Sequence, residues 1–480
     1  MLLTLLLLCL LTLCAVLVAR ALLFHPPRTQ AVAPCTATIN AEEAAQALSA
    51  LVQCKTVSHP DAVYDDEAEF EKMVNLLPTL FPRVHQACVV ERVGGRSLLY
   101  RWPGPSAEAP LVLTAHYDVV PADPAEWDFD PFCGEISEGV IHGRGTLDTK
   151  CTLSAILTSA ETLLAQGYAP ARDVYFSFAG NEEVMGSGAA ALVDTLEKRG
   201  IRPLCVVDEG GAIVENVFPG VATPCALIGV AEKGSVNYRL SVRAKGGHSS
   251  APLAQTPVDI LAQACVRIRQ KPFPFRVTRP ARMLVNGLAR HSGFAFRLLF
   301  ANLWLFSPLL NLIAKKSGGE LNALFRTTTA FTVFRAGEAV NVLPSSAEML
   351  INARLLPGDT AESILSELRA KVADARVEVS LLRGLPPSAC SDTNGPGYAA
   401  ITKTIGEVYP GVLVSPYLMI ACSDARHYER ICEHVYRFSG MSLSSAERRM
   451  IHGANEQIPV AKQADTAKFF LRLILNTTNA

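Results

Sequence analysis

Neither sign of charge dominates this chain. Its 44 lysines and arginines stand against 45 aspartates and glutamates, a net charge of −1, with no polybasic run. A nucleic-acid binder carries a basic face or stripe, so that class is set aside. Charge is also sparse: 19% of the 480 residues are charged and 49% are apolar, which excludes a disordered chain. The 13 cysteines include no Cys-x-x-Cys pair. With Cys9 and Cys14 in the apolar leader, the remainder is odd and dispersed, which is neither a disulfide framework nor a thiolate zinc site. Small buried thiols are expected instead. Internal repeats and low-complexity tracts are missing as well. The length allows two or three domains.

One long uncharged run is present. Leu2 to Ala19 carries no charge, and the apolar character continues past Arg20 to Phe24. The run is long for a signal-peptide core and lacks a basic n-region. It also approaches the ~20 apolar residues that a bilayer span needs. Ala19-Arg20-Ala21 reads as a small-x-small cleavage site, which favours cleavage and secretion. The alternative is a membrane anchor with a lumenal catalytic domain. The sequon Asn476-Thr477-Thr478 agrees with a lumenal route. Residues 1–24 are therefore the leader, and 25–40, with Pro26, Pro27 and Pro34, a linker.

Beyond the linker, short apolar runs alternate with helical spacing. Helical patterns at 41–52, 151–165 and 188–198 interleave with strand-like runs at 111–115, 174–179 and 204–207. This predicts βαβ units and a doubly wound α/β sheet, with ligands beyond the carboxyl ends of the strands. The texture changes near Gly234, where 236–242 alternates like a half-exposed strand and 327–334 looks like another. The first pattern resumes near residue 355. The reading is a catalytic domain, 41–233 and 355–480, interrupted by an α+β insertion at 234–354.

Polar clusters follow the predicted strands. They are His116-Tyr117-Asp118, Gly143 to Asp148, Asn181-Glu182-Glu183, Asp208-Glu209 and, near the other end, His452 to Glu456. Singly, each reads as a helix cap or a solvated loop charge. Together, imidazoles and carboxylates without thiolates suit zinc. They outnumber the needs of one ion and fit a two-metal centre bridged by a carboxylate. In an adjacent Glu-Glu pair one carboxylate can bind metal while its neighbour takes a proton from water.

His116-x-Asp118, Gly143-Arg144-Gly145 with Asp148, Glu182-Glu183, the acidic position after Val207 and His452-Gly453 resemble the M20 zinc metallopeptidases and aminoacylases. The resemblance covers about residues 40 to 475. It implies an α/β catalytic domain with a zinc pair, two Zn²⁺ per subunit, and an inserted lid that mediates dimerisation. It implies that His116 and Asp208 bind one zinc, that Glu183 and His452 bind the other, and that Asp148 bridges them. Glu209 competes with Asp208 for its role. Glu182 would be the general base and Asp118 the carboxylate that orients His116. In the lid, His248 would polarise the substrate carbonyl, reaching the metal site of a dimer partner. Asn341 and Arg354 would contact substrate, Arg354 by clasping a carboxylate.

Within the family the nearer likeness is to enzymes of N-fatty-acyl amino acids. It rests on Glu232-Lys233-Gly234-Ser235, Gly247 to Pro252, Arg326 to Ala330, Asn341 to Pro344, Val435 to Phe438 and Ile451-His452-Gly453. The implied reaction is cleavage of N-acyl amino acids, or their formation from a fatty acid and an amino acid. Gly-X carboxypeptidases are the rival, and a membrane-tethered binding protein with a vestigial site is the alternative outside enzymes. One departure is Cys422-Ser423-Asp424, where threonine is expected before the aspartate. The stretch 294–313, rich in Phe and Leu, reads as a buried lid helix or dimer interface. Its second reading is the wall of an acyl pocket, or a patch that takes lipid from a carrier or membrane surface.

Overall fold

A computed structural model describes residues 1–27, 32–216 and 218–479; residues 28–31 of the expected linker lie outside them. Ten strands form the central sheet. Its middle is parallel: Ser106–His116 lies between Arg172–Ala179 and Cys205–Asp208, and Cys205–Asp208 continues to Val435–Arg437. The hairpin Val89–Val93 and Ser97–Trp102 adds an antiparallel edge. The expected doubly wound sheet is therefore a mixed one with a parallel centre.

Period-two alternation explains why both faces are covered. Leu111, Leu113, Phe176, Phe178 and Val207 point into the larger core, beneath the helices Ala41–Val52, Lys150–Ala165 and Val460–Thr478. Leu99, Val112, Tyr175 and Val206 point the other way, onto the helix Gly188–Lys198. Ala41–Val52 shows the local logic. Asn40 caps it by accepting the N–H groups of Glu42 and Glu43, and Ala44, Ala45, Leu48, Leu51 and Val52 form one buried stripe. The sequon behaves differently from expectation. Asn476 lies within the last helix, its amide donating to Thr404 and Glu407, so it is not an open acceptor.

The insertion is a four-stranded antiparallel sheet ordered Thr328–Arg335, Ser346–Leu355, Gly234–Arg243, Val377–Leu385. The helices Pro257–Gln270 and Ala361–Val372 cover one face, where Val236, Tyr238, Leu240, Met349 and Ile351 are buried. Two boundaries differ from the sequence reading. The sheet takes its outer strand from Val377–Leu385, so the lid closes well beyond 354. The helices between Arg279 and Phe325 do not join it; Arg279–Leu288 packs on the catalytic strand Leu413–Met419. Strand texture alone could not separate a sheet strand from the catalytic domain when both alternate with period two.

The two parts meet at Glu232, which ends a catalytic strand just before the lid begins. Its carboxylate, fully buried, accepts from Arg437 Nε at 2.6 Å and Arg426 at 2.8 Å, and from Ser423 N–H and Oγ. Burial opposes the charge, but the two guanidiniums outweigh it and hold the carboxyl below its usual range. Removing one partner of a buried ion pair strands the other. Glu232→Ala is therefore expected to cost ~3–5 kcal/mol, read as a lower urea midpoint. An unchanged midpoint would refute the junction's structural role.

Candidate active site

The parallel register gathers the polar clusters at one edge. His116 is opposite Ala179, which leads into Asn181-Glu182-Glu183, and Leu113 is opposite Val207, which leads into Asp208-Glu209. The turn after Glu209 needs glycine. A Cβ on Gly211 would fall 2.2 Å from the Leu227 carbonyl oxygen, and Gly210 has φ +107°.

Asp148 is central. One of its oxygens lies 3.2 Å from His116 Nε2 and the other 3.0 Å from His452 Nε2. Glu209 completes the His116 side at 3.3 Å, and Glu183 the His452 side at 3.2 Å. Glu182 stands 3.9 Å from His116. Donor atoms of His116, Asp148 and Glu183, and of His116, Glu182 and Glu209, lie within 4.8 Å of one another, close enough to hold metal. Among the described residues, Glu183 Oε1 and Asp424 Oδ2 are buried without a hydrogen-bond partner. Acceptors left open in a cleft crowded with carboxylates fit a bound cation.

The geometry corrects one expectation. Asp208 turns away from His116 and accepts the Ala425 N–H at 2.7 Å. Side chains alternate along a strand, so only one of the adjacent acids can face the cleft. That residue is Glu209.

Asp118 does more than orient His116. Its backbone oxygen lies 3.0 Å from His116 Nδ1 and its carboxylate 3.4 Å away, leaving Nε2 for the cluster. The same carboxylate accepts the N–H groups of Glu182 at 3.0 Å and Glu183 at 3.1 Å. Glu456 does the equivalent for Asp148. Fully buried, it accepts from Gly145, Leu147 and Asp148 N–H and from Arg144. Its role was not read from the sequence, where it is one more acid in a loop.

Charge in the cluster follows these contacts. Burial works against a charged His116, but Glu209, Asp118 and Asp148 overcome it and raise its pKa well above the usual range. Hydrogen bonds to Asp148 and Glu183 raise His452 to about 10. Burial, reinforced by Asp148, lifts Glu209 to about 8. Burial lifts Glu182 well above the carboxylate range, with Asp424, Glu209 and Glu183 adding repulsion.

Of the lid residues expected to contact substrate, Arg354 touches a residue that lines a pocket beside Glu182. It donates to Asn352 Oδ1 at 3.1 Å and lies 3.2 Å from Cys422 Sγ. Cys422 lines a pocket of about 180 Å³ with Glu182, Asn237, Arg383 and Asp424. His248 and Asn341 do not reach it. They sit together on the exposed ribbon Gly247–His248 and Val342–Leu343, where Ser249 N–H donates to Asn341. On the other side an apolar cavity of about 260 Å³ begins at Gly210 and Ile451, chain neighbours of Glu209 and His452. It runs between Leu284, Phe296, Leu299, Phe300 and Leu324.

A mixed sheet with histidine and carboxylates at its carboxyl edge and an inserted lid defines a metallohydrolase of amide bonds. The sequence profile of peptidase family M20/M25/M40 matches residues 112–476, and the chain belongs to that family. It is 36% identical over 448 residues to probable carboxypeptidase S-like 2 of Dictyostelium discoideum, covering 92% of this chain and 86% of the relative. It is 37% identical over 442 residues to the Mus musculus N-fatty-acyl-amino acid synthase/hydrolase PM20D1, covering 90% and 87%. The crystal structure of the M20 metallo-carboxypeptidase Sso-CP2 from Sulfolobus solfataricus shares the fold, with TM-score 0.68, 19% identity and coverage of 90% and 98%.

The two aspartate–glutamate readings separate by metal content. Glu209→Ala is expected to lower bound metal measured by elemental analysis, whereas Asp208→Asn retains it. Asp148→Ala is expected to lower occupancy at both positions. Metal lost from Asp208→Asn and kept by Glu209→Ala would restore the original assignment.

Proposed function

We propose that this chain hydrolyses N-acyl amino acids, with long acyl chains preferred. The observation that carries this reading is one carboxylate–imidazole cluster adjoining both an apolar cavity and a second pocket lined by Arg383 and Arg426. The acyl chain occupies the cavity, and the amino-acid carboxylate meets Arg354 and Arg383, whose guanidiniums suit bidentate clasping. The mouse relative is named for N-fatty-acyl amino acids, and the apolar walls support the same substrate class here.

Imidazole and carboxylate donors without thiolate favour zinc. His116, Asp148 and Glu209 would hold one ion, and His452, Asp148 and Glu183 the second. Bound there, the ions supply Lewis-acid polarisation and lower the pKa of water. Glu182, its proton affinity raised by burial, takes a proton from the water whose oxygen bonds to the amide carbon. The C–N bond then breaks, and Glu182 returns the proton to the departing amine. The same steps reversed join a fatty acid to an amino acid. Asp118 holds Glu182 at its backbone, so the base cannot drift from His116. The exposure of His248 and Asn341 supports a homodimer in which they serve the cleft of a second copy.

Two measurements test this. Glu182→Gln is expected to keep its metal and lose ~10²–10⁴ in rate, the size of a general-base contribution. Leu299→Trp fills the cavity. Each excluded CH₂ is worth ~0.8 kcal/mol, so long-chain substrates should lose about two orders of magnitude in kcat/KM while N-acetyl substrates lose little. Equal losses for both, or dipeptides cleaved faster than any N-acyl amino acid, would return the chain to the carboxypeptidase reading.

A further inference from the structure

The apolar stretch 294–313 forms two helices, Phe294–Ala301 and Leu303–Ser317, bent by 108° at Asn302. Together they are apolar enough for a broken membrane span. Their inner side walls the apolar cavity. Phe296 and Ile313 line that cavity and are 41% and 42% exposed. Trp304, Leu305, Leu309 and Leu312 add an exposed apolar face along the second helix.

The N-terminal helix Leu2–Leu23 lies against this elbow. It is long and apolar enough to cross a bilayer, and Ala21 is its one buried residue. Leu13, Leu17 and Ala21, at helical spacing, are its less exposed positions, and the helix packs on Phe294–Ala301. Polar contacts fix the joint. Arg20 donates to Asn302 Oδ1 at 3.0 Å and to the Ala301 carbonyl at 2.8 Å, and Asn302 returns a hydrogen bond to the Leu17 carbonyl. Arg290 closes it, stacking over Phe24 and donating to the His25 carbonyl. Cleavage after Ala21 would sever a segment the body holds on both sides of the cut.

We propose that the N-terminal helix is retained as a bilayer anchor. The exposed face of the elbow lies in the same bilayer, so the acyl cavity receives its chains from the membrane. A helix that needs lipid and is locked to Asn302 brings lipid to Trp304 and Leu312 with it, which is why the occupant is a bilayer rather than a second copy of the chain. This rests on the acyl-cavity reading above.

Tryptophan fluorescence tests it directly. The chain has three tryptophans, and Trp102 and Trp127 are 3% and 9% exposed against 59% for Trp304. The full chain in vesicles of brominated phosphatidylcholine should show quenching that Trp304→Phe abolishes. Intact mass of the membrane-isolated protein should include residues 1–21. The double variant Trp304→Glu, Leu312→Glu should lose tenfold or more on a long-chain substrate carried in vesicles. It should keep wild-type kcat/KM for water-soluble N-acetyl and N-octanoyl amino acids. A mature chain beginning at Leu22, absence of quenching, or unchanged turnover of vesicle-borne substrate would overturn the proposal. A wild-type enzyme with no preference for N-octanoyl over N-acetyl would instead overturn the acyl-cavity reading.

Discussion

Asp148, Glu182, Glu183, Glu209 and Asp424 crowd into one cleft around the imidazoles of His116 and His452. That concentration of buried negative charge constrains everything around it. Carboxylates brought out of water and close to each other resist ionising unless cations or hydrogen bonds hold the charge. The cluster divides accordingly. Asp148, touched by both imidazoles, is held well below the carboxylate range despite burial, whereas Glu182 and Glu209 are driven upward. One carboxyl permanently charged beside another with raised proton affinity is the division of labour that metal binding and proton transfer require.

Such a cluster stays assembled because other buried acids fasten the backbone beneath it. Asp118 secures the Glu182–Glu183 loop and Glu456 secures the loop that presents Asp148, each through main-chain N–H groups. Glu232 repeats the device at the junction of the lid, where Arg437 and Arg426 converge. Each of these three acids fixes the position of backbone or side chains in the cluster or at the lid junction. The lid adds Ser235, Asn237 and Arg383 to the pocket that Cys422 and Asp424 line, with Arg354 touching Cys422, so both domains build it.

The opposite pocket is lined mainly by apolar side chains. The helices between Arg279 and Phe325 leave the lid, pack on the catalytic sheet and turn apolar sides both inward and outward. The inward side is a cavity beside Glu209. The N-terminal helix lies against Phe294–Ala301, held there by Arg20, Asn302 and Arg290.

The sequence by itself determined the class of fold and most of the cluster. Alternating strand and helix patterns placed His116, Glu182 and Glu183 at strand ends and Asp148 ahead of a helix, and the family resemblance joined His452 to them. It could not choose between Asp208 and Glu209. Which of two neighbours faces a cleft depends on how the strand sits among its partners, and Val207 opposite Leu113 turns Glu209 inward. Nor could it end the lid at 354, since the strand Val377–Leu385 is recognised only by pairing with Gly234–Arg243. Glu456 and Glu232 stand in motifs of the sequence, but only the fold brings them to N–H groups and guanidiniums far away in the chain. Tertiary structure also joined residues 20 and 302, a contact between two apolar segments that carry no signal of each other in sequence.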